Sequence, residues 1–180
     1  MTGTGWSIEP ATPESLADIL VIEEACFSTP WTRKMLEAEL NGNPFAHFLI
    51  ARQEGGSGIS AGPVVGYLCY WIVFEEVRLM NLAVIESMRN RGIAKSLVAT
   101  ALKTGFVQSA HRAVLEVRAS NLAARALYER FGFRQMAVRP KYYNNPMEDA
   151  VLMELDPIVL KSGSGSALSE VKGGDNQSLR

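Results

Sequence analysis

The sequence predicts an α/β fold of the α+β kind, a single mixed sheet of about seven strands flanked by helices. Three observations predict it. Segments with the two-residue rhythm and the β-branched or aromatic content of strands alternate with segments of helical period. Their order along the chain reads β-α-α-β-β-β-α-β-α-β-β, and its second half contains strand-helix-strand crossovers, which put helices on the faces of a sheet. The length, 180 residues, suits one core able to bury ~70% of the surface that the unfolded chain would expose.

Each element follows from a local pattern. Residues 7–10 form a short first strand. Thr12-Pro13 opens "TPESLADILVIEEACF" and Thr29-Pro30 opens "TPWTRKMLEAEL", each with a hydroxyl to cap free amides and a proline at the first helical position, so each predicts a helix. Leu16, Ile19, Leu20 and Phe27 give the first its apolar face; Met35, Leu36 and Leu40 do so for the second, before Asn41-Gly42 stops it. "FAHFLIARQ" and "PVVGYLCYWIV" read as a hairpin around the flexible "EGGSGISAG", and "EEVRLMNLAVI" continues the sheet.

The period then changes. In "RNRGIAKSLVATALKTGF" Ile93, Leu97 and Ala101, with Ala94, Val98 and Leu102, make two adjacent rows on one helical face. "RAVLEVRA" returns to strand, "NLAARALYERF" to helix, and "FRQMAV" and "EDAVLMEL" to strand, with "KYYNNPMEDA" as the turn before the last. Residues 1–160 thus form one domain. Residues 161–180, Gly/Ser-rich and weakly apolar, are expected to be a disordered tail.

The composition narrows the function classes. Eighteen Lys+Arg stand against 19 Asp+Glu, for a net charge of -1, so neither direct nucleic-acid binding nor a membrane-surface role is expected. Cys26 and Cys69 are isolated, without CxxC or zinc spacing, which fits a reducing compartment. "MTGTGWSIEP" has no secretory pattern and no apolar run approaches the ~18 residues of a membrane span, so a cytoplasmic protein is expected. His47 and His111 have no partners for a triad or a metal site, and no metal is expected.

Residues 89–94, "RNRGIA", carry the first chemical signal. They lie between a strand and a helix, with Gly92 inside the first helical turn; the absent Cβ lets a ligand approach the backbone, and the free amides of residues 90–95 favour an anion such as a pyrophosphate. By itself the hexapeptide reads equally well as a basic helix entry with a glycine for close packing. It is neither a Walker A loop nor a Rossmann fingerprint. The second signal is "LEVRASNLAARALYERFGF", which sets Glu116 in a strand and Tyr128 in a helix where aliphatic residues would pack more cheaply. Taken singly, Glu116 reads as a half-exposed partner of Arg118, Tyr128 as a core aromatic, and Asn121 as a helix cap.

Together these residues resemble a known family. Arg89-Asn90-Arg91-Gly92-Ile93-Ala94 matches the R/Q-x-x-G-x-G/A signature of the GNAT acetyltransferases, and it follows the fourth strand as in that family. "CFSTPWT", "LEVRASNLAARALYERFGF" and "KYYNNPMEDAVLMEL" extend the likeness over roughly residues 6–156, most closely to members that acetylate the N-terminal alanine of a small-subunit ribosomal protein. Departures are Ser87-Met88 before the signature, Ala94 as its second small residue, and the long loop of residues 55–62.

The resemblance implies a mostly antiparallel sheet and acetyl-CoA as co-substrate. It implies that the backbone of Leu82, Ala83 and Val84 holds the pantetheine arm and polarises the thioester, an oxyanion-hole role worth ~3 kcal/mol per donor. Arg89, Asn90, Arg91, Gly92, Ile93, Ala94 and Lys95 would bind the pyrophosphate, and Asn121 the pantetheine. Glu116 would be the general base and Tyr128 the acid that protonates the departing sulfur, each contributing ~10²–10⁴-fold. Asn121 and Tyr128, seven apart, would project from one helical face. Trp31, Tyr142, Tyr143, Glu148 and Asp149 would border the acceptor groove, although Trp31 alone reads as packing.

The expected acceptor is the N-terminal peptide of a ribosomal protein, and the expected form is a monomer. An α-amine, with a reference pKa about 7.7–8.0 against about 10.4 for lysine, is cheaper to deprotonate at neutral pH by ~3.5 kcal/mol. Acetylation of a protein lysine or a small amine remains open on the same scaffold. So does a non-catalytic acyl-CoA sensor, which would have no need of the Glu116/Tyr128 pair.

Overall fold

The computed structural model describes residues 5–55 and 62–160. The central part of the expected long loop and the expected tail at 161–180 lie outside the described residues. The elements run β1 (Trp6–Pro10), α1 (Leu16–Cys26), α2 (Arg33–Gly42), β2 (Ala46–Gln53), β3 (Val64–Val73), β4 (Glu76–Val84), α3 (Ile93–Val107), β5 (Arg112–Arg118), α4 (Leu122–Phe131), β6 (Arg134–Asn144) and β7 (Met147–Leu155). This is the order the periodicity predicts. Short 3₁₀ turns, Pro13–Ser15 and Glu86–Met88, precede α1 and follow β4.

The seven strands form one sheet in the order β1-β2-β3-β4-β5-β7-β6. All neighbours are antiparallel except β4 and β5, which α3 links as a parallel crossover. Alternation along the strands sorts the side chains into two cores. On one face α3 and α4 cover Leu68, Tyr70, Val77, Leu79, Leu115, Val117, Val151 and Met153; on the other α1 and α2 cover Phe48, Ile50, Tyr67, Cys69 and Ala83. Burial of these side chains, at ~1.5–3 kcal/mol each, is the main force that holds the helices down.

Three local expectations need correction. The second helix starts after Thr32, whose hydroxyl accepts from the Met35 amide at 3.3 Å, and not at Thr29-Pro30. The reason is tertiary: the Trp31 amide donates to the Glu23 carboxylate at 2.6 Å, which holds the preceding residues in a loop. Gly92 is the residue before α3, at φ +85°, rather than within its first turn. Finally, the segment expected as the last turn continues β6 as far as Asn144, around a bulge: Arg139 pairs with Ala150 and Tyr143 with Glu148, so residues 140–142 face a single partner.

A second bulge positions the site. Cys69 pairs with Asn81 and Tyr70 with Leu79, leaving Met80 as the extra residue in β4. Just there β4 stops pairing with β5, since the parallel ladder covers only residues 76–79 and 112–115. Beyond it the two strands diverge, and the β4 edge turned away from β3 has no strand partner among the described residues. Gly66 lets β3 stay close to this half of β4, because a Cβ there would meet the Ala83 carbonyl oxygen at 2.8 Å.

Candidate active site

The splay between β4 and β5 is bordered by several of the residues singled out by the sequence. On its β4 side, Leu82, Ala83 and Val84 pair with Leu68, Tyr67 and Gly66 across β3 and leave their other edge open. Arg89 folds back onto this strand end, its Nε donating to the Val84 carbonyl at 3.1 Å. Asn90 and Gly92 both have positive φ, 60° and 85°. No side chain caps α3, and its first amide bonded within the helix is that of Ser96, to Gly92 oxygen at 3.0 Å. Among the described residues the amides of Ile93, Ala94 and Lys95 therefore have no partner, which leaves them to an anion.

A Cβ at Gly92 would meet no protein atom within 4 Å. The glycine is thus required by its backbone angle and leaves open space above the helix start. That space, the free amides and the open strand edge are what a pyrophosphate joined to a peptide-like arm requires, so the residues present fit a coenzyme A ester.

α4 supplies the next groups. Tyr128 is buried, 6% exposed, against Phe133 with ring centroids 5.7 Å apart. Its hydroxyl has no hydrogen-bond partner among the described residues. Burial pushes this phenol well above its ordinary value, with a smaller contribution from nearby Tyr143, so it holds its proton at neutral pH. Asn121 behaves differently from the expectation that it shares a helical face with Tyr128. It precedes the helix as its cap, and its Oδ1 accepts from the Ala124 amide at 3.1 Å.

Across the splay the chemistry is carried by charged side chains. Glu116 alternates with Leu115 and Val117, so it points away from the α3–α4 core that buries them. Its partner is Arg139, at 2.5 Å, rather than Arg118. The register explains the reach: Arg118, Ala150 and Arg139 lie in one row of the sheet, and Glu116, Leu152 and Ala137 lie two rows on, facing the same side. Small Ala150 leaves room for the Arg139 side chain to cross toward β5.

The bulge at residues 140–142 brings Tyr142 to the same carboxylate, whose hydrogen bond holds the phenol above its ordinary value. Tyr143 stands edge-on to Tyr142 at 5.1 Å and carries the Arg118 guanidinium 4.2 Å from its ring centre. Its phenol too is pushed up, chiefly by burial.

Glu148 and Asp149, expected to border the acceptor groove, are both engaged. Glu148 binds Arg118 at 3.3 Å and the Ser120 amide at 2.5 Å; Asp149 accepts from the Lys141 amide at 2.8 Å. The β6–β7 turn is also tied to the loop after α1, since the Ser28 hydroxyl donates to the Asn145 carbonyl at 2.6 Å. Trp31 belongs to that loop and packs on the α1–α2 core, lining with Leu20, Val21 and Arg33 an open groove of about 540 Å³ between the two helices.

Two groups escaped the sequence reading. Arg139 lies in a strand whose pairing was not legible. Glu23, fully buried, sits where the α1 core face would take an aliphatic residue. Its one sequence signal is position, four residues after Ile19 on the apolar face of α1. Among the described residues no group of three or more His, Cys, Asp or Glu is placed to hold a metal ion, and no helix is long and apolar enough to cross a membrane.

The splayed parallel pair and the helix between its strands, entered without a side-chain cap, point to an acyltransferase of the GNAT class. Residues 16–133 match the family described as "Acetyltransferase (GNAT) family", and the chain belongs to it. It is 32% identical over 140 residues to a Bacillus subtilis (strain 168) protein provisionally named a [ribosomal protein bS18]-alanine N-acetyltransferase, covering 78% of this chain and 88% of that one. Among solved structures, the Escherichia coli ribosomal-protein-S18-alanine N-acetyltransferase, RimI, superposes with a TM-score of 0.74 at 26% identity, over 92% of this chain and 99% of that one. A chain of the NatC complex bound to Gag peptide and CoA does so with a TM-score of 0.74 at 28% identity, over 84% and 98%.

Proposed function

We propose that this protein transfers an acetyl group from acetyl-CoA to the N-terminal alanine of a small-subunit ribosomal protein; the relatives named [ribosomal protein bS18]-alanine N-acetyltransferase support the acceptor. The observation that carries this reading is the divergence of β4 from β5 at Met80, with the Glu116 carboxylate on the first β5 residue beyond the ladder.

Ile93, Ala94 and Lys95 hold the pyrophosphate with their amides, and the open edge of residues 82–84 binds the pantetheine arm and polarises the thioester carbonyl. Trp31, Tyr142 and Tyr143 bound the entry of the acceptor peptide. Attack by the α-amine nitrogen forms the amide bond as the carbon–sulfur bond breaks. Glu116 takes the amine proton, directly or through one water, and Tyr128 gives its own to the departing sulfur. Arg139 offsets the Glu116 charge before the reaction. Glu148 and Asp149 shape the groove wall through Arg118 and Lys141 rather than by drawing in a cation.

The test is incubation with acetyl-CoA and peptides carrying N-terminal Ala, N-terminal Ser or only an internal lysine, with mass spectrometry to locate the added acetyl group. The expected product is the α-acetylated alanine peptide. Modification of lysine with a free α-amine would move the assignment to another acceptor, and tight acetyl-CoA binding without any transfer would make the protein a sensor.

A further inference from the structure

Glu23 has no exposed surface and no cationic partner among the described residues. A carboxylate in that position is costly unless donors satisfy it, and these come from three separate segments. The Trp31 amide donates to Oε2 at 2.6 Å from the loop between α1 and α2; Asn81 Nδ2 donates to Oε1 at 3.0 Å from β4; and the Tyr67 hydroxyl donates to Oε1 from β3. Asn81 Nδ2 also reaches the Tyr67 oxygen at 3.4 Å.

The places these donors come from matter more than their number. Trp31 stands in the loop whose Ser28 is bound to the β6–β7 turn, on the acceptor side. Asn81 is the residue after the Met80 bulge, where β4 leaves β5 and its open edge begins. One buried carboxylate therefore ties the wall of the acceptor groove to the strand expected to carry the thioester. An aliphatic residue would fill the same volume and fix neither.

Resting on the acyl-transfer reading above, we infer that Glu23 is a positioning residue that sets the acceptor loop in register with the β4 edge. It touches no reacting atom; it acts through Trp31 and Asn81. With the carboxylate gone, the Trp31 amide and the Tyr67 hydroxyl lose their acceptor and the loop is released from the strand. Among the described residues Glu23, Trp31, Asn81 and Tyr67 make no hydrogen bond to residues 92–96 at the start of α3, so that anion site is expected to be unaffected.

Steady-state kinetics and hydrogen exchange on Glu23→Ala and Glu23→Gln test this. Glu23→Ala is expected to raise KM for the acceptor peptide ~10-fold or more, the scale of a lost hydrogen bond to a charged group, to lower kcat, and to leave KM for acetyl-CoA within about twofold. Deuterium uptake should rise in residues 28–34 and not in residues 92–96. Glu23→Gln keeps an oxygen for the Trp31 amide and lets the Tyr67 hydroxyl turn from donor to acceptor, so it should restore most of the acceptor KM.

Should Glu23→Ala fail to fold, Asn81→Ala cuts only the tie to β4 and should show the same split at about threefold. Unchanged acceptor KM with unchanged uptake overturns the inference. A parallel rise in both KM values also overturns it, as does a Gln variant as damaged as Ala, which would put Glu23 in proton transfer. If the wild-type protein modifies no peptide, the proposed function fails, while uptake in residues 28–34 still decides whether Glu23 holds the loop.

Discussion

The two walls of the splay are built from different materials. On the β4–α3 wall the working groups are backbone: an open strand edge, free helix amides and a glycine at φ +85°. On the β5–β7 wall they are side chains held in pairs, Glu116 with Arg139 and Arg118 with Glu148 and Tyr143. A backbone site needs only a backbone conformation, so one invariant chemical ligand can be met with few obligatory side chains. A side-chain site can be retuned residue by residue, which suits a wall proposed to face a variable peptide.

The contrast predicts separable kinetics. Glu116→Gln should lower kcat on the order of 10²-fold, the lower end of the range for one proton transfer, without raising KM for acetyl-CoA. Tyr128→Phe keeps the packing against Phe133 and removes only the hydroxyl. Its kcat should fall at least ~10-fold with acetyl-CoA affinity nearly unchanged; unchanged turnover would take Tyr128 out of the acid role.

Gly92→Val should do the reverse, raising KM for acetyl-CoA ~10-fold while the acceptor KM holds. Because a Cβ there meets no protein atom, destabilisation should be confined to the ~1–2 kcal/mol of a side chain forced into the left-handed region, measurable by denaturant melts. A Gly92→Val protein that loses acceptor and cofactor binding equally would mean that the walls are not independent.

The smallest expected effect is on pH. Hydrogen bonds from Ser120, aided by Arg118, hold the Glu148 carboxyl below its ordinary value of 4.5. A depressed carboxyl contributes stability above its unfolded value and loses it as pH falls through the folded one. The Glu148–Arg118 tie should thus be intact at neutral pH and open only below 4.5, and carbon NMR of the Glu148 carboxyl would follow it.

The same contrast governs what the sequence revealed. Element order, the two-faced strands and the α3 entry were legible because local period and a backbone motif encode them. Glu116 and Tyr128 stood out as polar residues in apolar patterns; the structure sets Glu116 one residue beyond the β4–β5 ladder and buries Tyr128 on α4 against Phe133. Arg139 did not, because its meeting with Glu116 depends on a β6–β7 register and a bulge set by Lys141 and Asp149 across the turn. The start of α2 was missed for a related reason, since a carboxylate eight residues earlier takes the Trp31 amide. Met80 was equally silent: a bulge is a mismatch between two strands, and neither strand announces it alone.

The central claim is that the thioester reaches across the divergence of β4 and β5, with the tyrosine on the sulfur side and the carboxylate on the amine side. A crystal structure with a bisubstrate in which coenzyme A is joined to an N-terminal alanine peptide tests it most directly. The predicted result places the sulfur within hydrogen-bond reach of the Tyr128 hydroxyl, the pantetheine along residues 82–84, and the alanine nitrogen within one water of Glu116. A bisubstrate bound away from the splay, or one whose alanine nitrogen lies on the Tyr128 side, would contradict it.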